Sequence, residues 1–113
     1  MYSIDFTSTD WSNIEKKEYP GTTGNAFWRT QLLDGLRVRI VDYSENYLAD
    51  HWYQKGHIVH CIEGEFISEM ENGKSMVMKK GMTYIVSDDL SSHRSLTKTG
   101  TQLLIIDGEF LKP

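Results

Sequence analysis

The sequence predicts an all-β barrel or sandwich in one domain, and three observations support that prediction. Short apolar or alternating runs are separated by turn residues about every 8–12 positions, as in β-sandwiches and barrels. Asp34-Gly35 and Asn72-Gly73 are dipeptides typical of tight β-hairpins. The intervals between the runs leave no room for the crossover helices of parallel-sheet folds. A length of 113 residues suits a single core, so one domain over residues 1–113 is expected.

The predicted elements follow one another as short strands along the chain. A single turn of helix is expected over residues 10–16, where Asp10 provides a cap and Ile14 faces the core. Two hairpins join residues 26–33 to 36–43 and residues 66–70 to 76–78. The other predicted strands cover residues 47–53, 57–62, 82–86, 93–96 and 101–106.

The charge and composition exclude several classes of protein. Twelve basic against 16 acidic residues give a formal net charge of −4, which argues against nucleic acids and anionic membranes as partners. The longest aliphatic run, 103–106, is too short to span a bilayer, and no apolar signal segment follows Met1. Cys61 is the only cysteine, so an internal disulfide is excluded. We therefore expect a cytoplasmic protein.

Candidate metal ligands lie in and around the predicted strands 47–53 and 57–62. Because alternate residues of a strand share a face, His51 and Tyr53 point the same way, whereas His57 and His60 point to opposite faces. A metal held by His51 and His57 therefore excludes His60. Cys61 shares the face of His57 but lies about 13 Å further along the strand, too far to ligate the same ion. We interpret Cys61 as a buried packing residue.

The histidine spacing resembles that of the cupins, a family of small double-sheet jelly-roll barrels. Their first motif, Gly-x5-His-x-His-x3-Glu-x6-Gly, is matched from its first histidine onward by His51-x-Tyr53-x3-His57-x6-Gly64. Their second motif is traced from Gly81 onward to His93. The resemblance implies a cupin-type double-stranded β-helix, or jelly-roll barrel.

The loop over residues 87–92 is one residue longer than the second cupin motif allows. A slip of one residue within a regular strand would turn His93 to the wrong face. The polar residues Asp88, Asp89 and Ser91 suit a bulged turn that absorbs the insertion before the strand begins. We therefore expect His93 to point into the barrel and Arg94 to point out.

The run over residues 48–57 more closely resembles the small bacterial proteins called DHCW-motif cupins, a group without a settled activity. Asp10-Trp11-Ser12 and the segments 27–30 and 91–95 are also similar to that group, so the resemblance covers nearly the whole chain. Tyr53 stands where the group's name expects a cysteine.

The cupin resemblance implies a ligand set at His51, Tyr53, His57 and His93. Tyr53 then replaces a family histidine, and His57 replaces the family glutamate. Three neutral imidazoles suit a divalent transition metal, which we expect to be Zn, Fe, Ni or Cu. The ordinary pKa of a tyrosine, near 10, favours a role for Tyr53 as a catalytic proton donor or orienting group over one as a ligand.

The leading functional expectation is a small cupin with a mononuclear metal held by three histidines, acting on or sensing a small molecule. If it is an enzyme, metal-dependent chemistry of the oxygenase or isomerase type is expected. Two alternatives stay open: a metal-free cupin that binds a small molecule, and a structural homodimer with a vestigial pocket. A homodimer is itself implied by the cupin resemblance. Arg29, Arg37 and Arg39 are expected on solvated strand faces, although one inward arginine would suit a carboxylate substrate.

Overall fold

The predicted all-β architecture is confirmed by the structure, a computed structural model that describes residues 2–113. Nine strands are joined by turns, and a single 3₁₀ turn lies near each end, at Trp11–Asn13 and Glu109–Leu111. The strands are β1 (Lys17–Pro20), β2 (Asn25–Leu33), β3 (Leu36–Tyr43), β4 (Tyr47–Leu48), β5 (His57–Met70), β6 (Ser75–Lys79), β7 (Thr83–Val86), β8 (His93–Thr97) and β9 (Thr101–Gly108).

The strands form two antiparallel sheets that share the long strand β5. The larger sheet runs in the order β1, β2, β3, β9, β5 and β7, and it uses the first half of β5. The smaller sheet runs in the order β4, β8, β5 and β6, and it uses the second half. Because one strand belongs to both sheets, the sheets close around a common interior as in a jelly-roll barrel.

The strand β5 changes sheet at a β-bulge over Cys61–Glu63. Pairing with β9 shifts by one residue there, so that Cys61 lies opposite Leu103 and Glu63 lies opposite Gln102. An extra residue in a strand exchanges the faces of all residues after it. The interior is accordingly lined by Cys61 before the bulge and by Phe66 after it, and both are fully buried.

Turn and cap signals in the sequence have the predicted structures. Gly35 closes the β2–β3 hairpin with a φ of 73°, and Gly73 closes the β5–β6 hairpin with a φ of 92°. The expected helical turn near residue 10 is a 3₁₀ turn, in which the Asp10 carboxylate accepts a hydrogen bond from the backbone N–H of Ser12 at 3.1 Å. Within residues 2–113, no helix is long and apolar enough to cross a membrane.

The predicted strand over residues 47–53 is wrong beyond Leu48. Backbone hydrogen bonds tie Leu48 to Thr23 and Ala49 to Ser95, after which the chain leaves the sheet. It returns only at Tyr53, which forms an isolated bridge with His93 through bonds of 2.8 and 2.9 Å. The segment 49–56 is therefore a loop across one end of the barrel, which we call the mouth loop.

The outer face of the larger sheet is apolar, whereas its inner face also carries the charged residues Arg37, Arg39 and Asp107. Its inner face is formed by residues such as Val41, Val59, Leu103 and Ile105, which are buried. Its outer face carries a row of aligned branched side chains that are half-buried or exposed: Val38, Ile106, Ile58 and Ile85. In β3, whose apolar residues at 36, 38 and 40 lie on the outer face, the alternation of polar and apolar residues therefore indicates the wrong inward face.

Gly64 follows the β-bulge in β5, and its replacement is predicted to destabilise the protein. Its φ is 75°, and a Cβ atom would lie 2.4 Å from the carbonyl oxygen of Gly100. We expect Gly64→Ala to lower the free energy of unfolding by about 2–4 kcal/mol, through backbone strain and overpacking. Urea denaturation monitored by fluorescence measures this difference.

Gly73→Ala is the matched control. Gly73 also has a positive φ, of 92°, but a Cβ atom there would meet nothing within 4 Å. This variant should lose only the conformational cost, about 1 kcal/mol. Equal losses in the two variants would show that the contact with Gly100 relaxes without cost.

Candidate functional site

His57 and His93 meet inside the barrel. Each is the first residue of its strand, β5 for His57 and β8 for His93, and His93 is only 4% exposed. Their Nε2 atoms lie 2.8 Å apart, with ring centroids 4.9 Å apart and ring planes 77° apart. The ring of Tyr84 on β7 packs edgewise against both. The structure therefore brings two of the predicted ligands together with their nitrogens converging.

Both histidines of this pair are neutral at ordinary pH. Burial, the neighbouring His93 and the positive charge of Arg39 lower the pKa of His57 to about 3. Burial also lowers the pKa of His93. Since both rings are neutral, one Nε2 carries a proton and donates it in the hydrogen bond to the other. Neutral imidazole is also the form that ligates metal ions.

The structure does not bring His51 to this pair. His51 lies in the mouth loop with its side chain 59% exposed, and its Nδ1 is 2.8 Å from the Asp50 carboxylate. Its ring packs on Tyr53, with centroids 4.1 Å apart. The strand from which His51 and Tyr53 were predicted to point the same way is absent, and although their rings are in contact, Tyr53 lines the inner cavity while His51 is exposed. No group of three or more metal-ligating side chains is found among residues 2–113.

The long loop before β8 explains the inward orientation of His93. Asp89 adopts a left-handed conformation with a φ of 63°, so the extra residue is absorbed in a turn as predicted. The Asp88 carboxylate accepts a hydrogen bond from the backbone N–H of Gly56 at 2.7 Å, and the N–H of Asp89 donates to Gln54 at 2.8 Å. The N–H of Asp88 donates to the carbonyl of Leu111 at 2.9 Å. This loop therefore fixes the chain immediately ahead of both His57 and His93.

The two residues that the sequence excludes from the site, His60 by alternation and Cys61 by distance along the strand, lie apart from it. His60 is on the outer face, where its Nδ1 is 2.8 Å from the hydroxyl of Thr83. Cys61 is fully buried on the inner face, with its thiol near Thr101 at 3.5 Å. Cys61 thus belongs to the packed core, as the sequence predicts.

Tyr53 borders the interior beside the histidine pair. Its hydroxyl donates a hydrogen bond of 3.4 Å to the Asp50 carboxylate. Burial, followed by the negative charge of Asp50, raises the pKa of Tyr53 to about 12. The phenol is therefore protonated at neutral pH and is a hydrogen-bond donor.

A cavity of about 100 Å³ lies inside the barrel next to His57. Its walls combine aromatic rings with cationic side chains, and Tyr43 and Tyr47 stack in parallel at 4.2 Å on one side. A second, open cleft of about 820 Å³ lies between β7 and the loop before β8 and reaches His93. Tyr84 borders both spaces, so the Tyr84–histidine cluster separates the inner cavity from the outer cleft.

The expectation that Arg37 and Arg39 lie on a solvated face is wrong. Both point into the barrel from β3, and Arg39 is only 5% exposed. Arg37 donates two hydrogen bonds to the Asp107 carboxylate, at 3.0 and 2.8 Å, and Arg39 donates a third at 2.9 Å. The expectation failed because the apolar residues Leu36, Val38 and Ile40 of β3 lie on the outer face, so that its alternation indicates the reverse of the observed orientation. The sequence offered one indication of this cluster: two arginines and, in a later strand, one aspartate lie within otherwise apolar runs.

This arginine–aspartate cluster keeps Asp107 ionised. Burial alone would raise the pKa of Asp107, but the hydrogen bonds from Arg37 and the charges of both arginines lower it overall. The guanidinium of Arg39 also lies over the Trp28 ring, 4.4 Å from its centroid. A cation–π contact of this kind further holds the arginine inside the barrel.

The architecture resembles solved structures of one family. Ectoine synthase from P. lautus has a TM-score of 0.73 at 18% identity, covering 91% of this chain and 78% of that one. An RmlC-like cupin from Shewanella frigidimarina has a TM-score of 0.70 at 17% identity, covering 95% and 92%. A cupin-like protein from Thermotoga maritima has a TM-score of 0.68 at 18% identity, covering 80% and 74%.

The protein is a small cupin-fold protein. At such low identities the likeness shows the cupin fold alone. No protein-family model matches the sequence, and no curated protein matches it at a significant level. The comparisons therefore give the fold of this protein and not its activity.

Removal of the Asp107 charge is predicted to destabilise the cupin strongly at neutral pH. We expect Asp107→Asn to lower the free energy of unfolding by about 3–5 kcal/mol, because it leaves two inward arginines without a carboxylate. Since the folded-state pKa of Asp107 is lowered, its contribution is present above the ordinary carboxyl pKa near 4 and is lost as the pH falls through the lowered value. The difference between the two proteins should therefore shrink at acidic pH in denaturant titrations.

Asp42→Asn provides the comparison for that experiment. Asp42 pairs with Lys16 at 3.8 Å and Arg29 at 3.7 Å near the surface. Its replacement should cost about 1 kcal/mol or less. A loss at Asp107 no larger than that at Asp42 would contradict the strong coupling inferred for the interior cluster.

Proposed function

We propose that this cupin binds one divalent transition metal with His57 and His93 as ligands, and that the site acts on or senses a small molecule. The observation that carries the proposal is the 2.8 Å separation of the two Nε2 atoms. Two nitrogens that each lie about 2.1 Å from one ion, with bonds at a right angle, are about 3.0 Å apart. The pair is thus already close to the spacing that a shared ion requires, and both rings are neutral.

His51 is proposed as the third ligand, supplied by a rearrangement of the mouth loop. In the conformation described above, its exposed ring does not fit the site, since it faces Asp50 outside the barrel. The rearrangement is supported by the weak fastening of this part of the loop. Among the described residues, Asp50, His51 and Trp52 take part in no backbone–backbone hydrogen bond. Zn, Fe, Ni and Cu all suit a site of imidazole ligands.

The remaining groups around the pair suit the handling of a small polar molecule. A bound metal would supply Lewis acidity, or activation of water or O2, for oxygenase- or isomerase-type chemistry. The protonated hydroxyl of Tyr53 donates a hydrogen bond at the cavity wall and is proposed to orient the ligand or give it a proton. The open cleft beside His93 offers a route of approach to the pair.

A metal-free cupin that binds a small molecule is the second candidate. It is favoured by the direct hydrogen bond between His57 and His93, which satisfies both Nε2 atoms without an ion. Under this alternative the inner cavity is the binding site. With either candidate we propose a homodimer located in the cytoplasm. Sedimentation of the untagged protein tests whether it is a dimer.

Elemental analysis of the protein, after reconstitution with each of the four metals, tests the leading proposal. We expect about one equivalent in the unaltered protein and less than about a tenth of that in His57→Ala and His93→Ala, which each remove a ligand. His60→Ala is the matched control and should retain its metal, because His60 faces the outside of the barrel. His51→Ala should weaken binding if the mouth loop closes.

Two results of this experiment would contradict the proposal. An absence of metal uptake from every salt would favour the metal-free alternative. Equal loss of metal from His57→Ala and His60→Ala would show that the ions bind outside the barrel.

Tyr53→Phe is predicted to retain the metal. Because the pKa of Tyr53 is about 12, the phenol stays protonated and does not ligate as a phenolate. Protein loaded with Fe(III) should accordingly show no visible phenolate-to-iron charge-transfer band. Such a band, abolished by Tyr53→Phe, would make Tyr53 a ligand instead of a hydrogen-bond donor.

A further inference from the structure

The Arg39 guanidinium is buried at the wall of the inner cavity and is incompletely satisfied. Its side chain is 6% exposed, and its Nη2 donates to Asp107 at 2.9 Å. Its Nε is buried and has no hydrogen-bond partner. A buried donor without a partner costs free energy, and more when the group is charged. The Nε itself is closed off from the cavity, but an anion at the cavity wall would offset the cost of burying the positive charge of this guanidinium.

The charges around the cavity are unbalanced. Its lining includes the cationic residues Arg37, Arg39, Lys55 and Arg94, and it includes no aspartate or glutamate. Lys55 and Arg94 have partners nearer the surface, in Asp88 and Glu69 respectively. Arg37 and Arg39, by contrast, share the single carboxylate of Asp107. Arg39 is buried and Arg37 is one-third exposed, so this pair of cations has one carboxylate partner between them.

The shape and the walls of the cavity restrict what can compensate this charge. A volume of about 100 Å³ admits only a few non-hydrogen atoms, since one water molecule occupies about 30 Å³ in the liquid. Trp28 stacks on Arg39, while Tyr43, Tyr47 and Tyr53 supply apolar ring surface with hydroxyl groups. A guanidinium pairs most specifically with a planar carboxylate.

We propose that the inner cavity is a binding site for a small monocarboxylate, whose anionic group pairs with Arg39. This inference rests on the proposed function only in assigning the chemical class of the small molecule. It requires no metal, because the anionic group pairs with Arg39 itself, although His57 also lines the cavity. The carboxylate of the ligand supplies a second negative charge for Arg37 and Arg39, which otherwise share that of Asp107. Its short carbon chain packs on the aromatic walls.

Titration calorimetry of metal-free protein in a carboxylate-free buffer tests the proposal. Acetate and propionate should bind saturably, while the neutral isostere acetamide should not bind. Arg39→Lys should weaken acetate binding by about tenfold or more, because a lysine cannot make the bidentate pair. Arg29→Lys is the matched control, since Arg29 pairs with Asp42 on the same sheet outside the cavity, and it should leave binding unchanged.

Substitution of Arg39 changes the contacts of Asp107 and is therefore subject to unfolding. Lys55→Gln, at the cavity mouth, provides a second and less disruptive variant. It should weaken acetate binding by a smaller factor and leave the circular dichroism spectrum unchanged. Quenching of Trp28 fluorescence by acetate, lost in Trp28→Phe, should accompany binding in the unaltered protein.

The possible outcomes separate this inference from the metal proposal. Saturable acetate binding that depends on Arg39 supports the carboxylate site whether or not metal is taken up. An absence of saturable binding, equal binding of inorganic phosphate, or acetate binding that Arg39→Lys leaves unchanged would each overturn it. Metal uptake without carboxylate binding would leave the proposed function intact and remove the assigned ligand class.

Discussion

The sharing of β5 between the two sheets is the constraint on which the rest of the structure depends. A single 14-residue strand pairs with β9 and β7 in its first half and with β8 and β6 in its second. His57 begins the first half, and the end of the second half holds His93 through the pairing of Met70 with β8. The two histidines come from distant parts of the chain, and they meet because both sheets take their register from the same strand.

The sequence predicted those features that depend on local backbone chemistry. Asp34-Gly35 and Asn72-Gly73 identify hairpins because few other residues adopt positive φ angles at low cost. The placement of His93 was predictable because a one-residue insertion has only a turn in which to be absorbed, and Asp89 adopts the left-handed conformation there. The opposite orientations of His57 and His60 follow from the pleat alone.

The features that escaped prediction depend on long-range packing. Arg39 was assigned to solvent because the alternating apolar residues of β3 were expected to face inward. In the structure they face outward, and Arg39 points inward to its contact with Asp107, 68 positions away. The mouth loop reads as a strand because its residues alternate. Its backbone nevertheless has no neighbouring strand to pair with between Ala49 and Tyr53. The position of His51 was unpredictable for the same reason.

The hydrogen bond from Asp88 to Leu111 gives the C-terminal turn a role in site integrity. Leu111 is buried, so the turn is anchored in the core while its carbonyl holds the loop that precedes His93. The same loop holds Gly56, directly before His57. The C-terminal turn is therefore linked, through one loop, to the chain that positions both imidazoles.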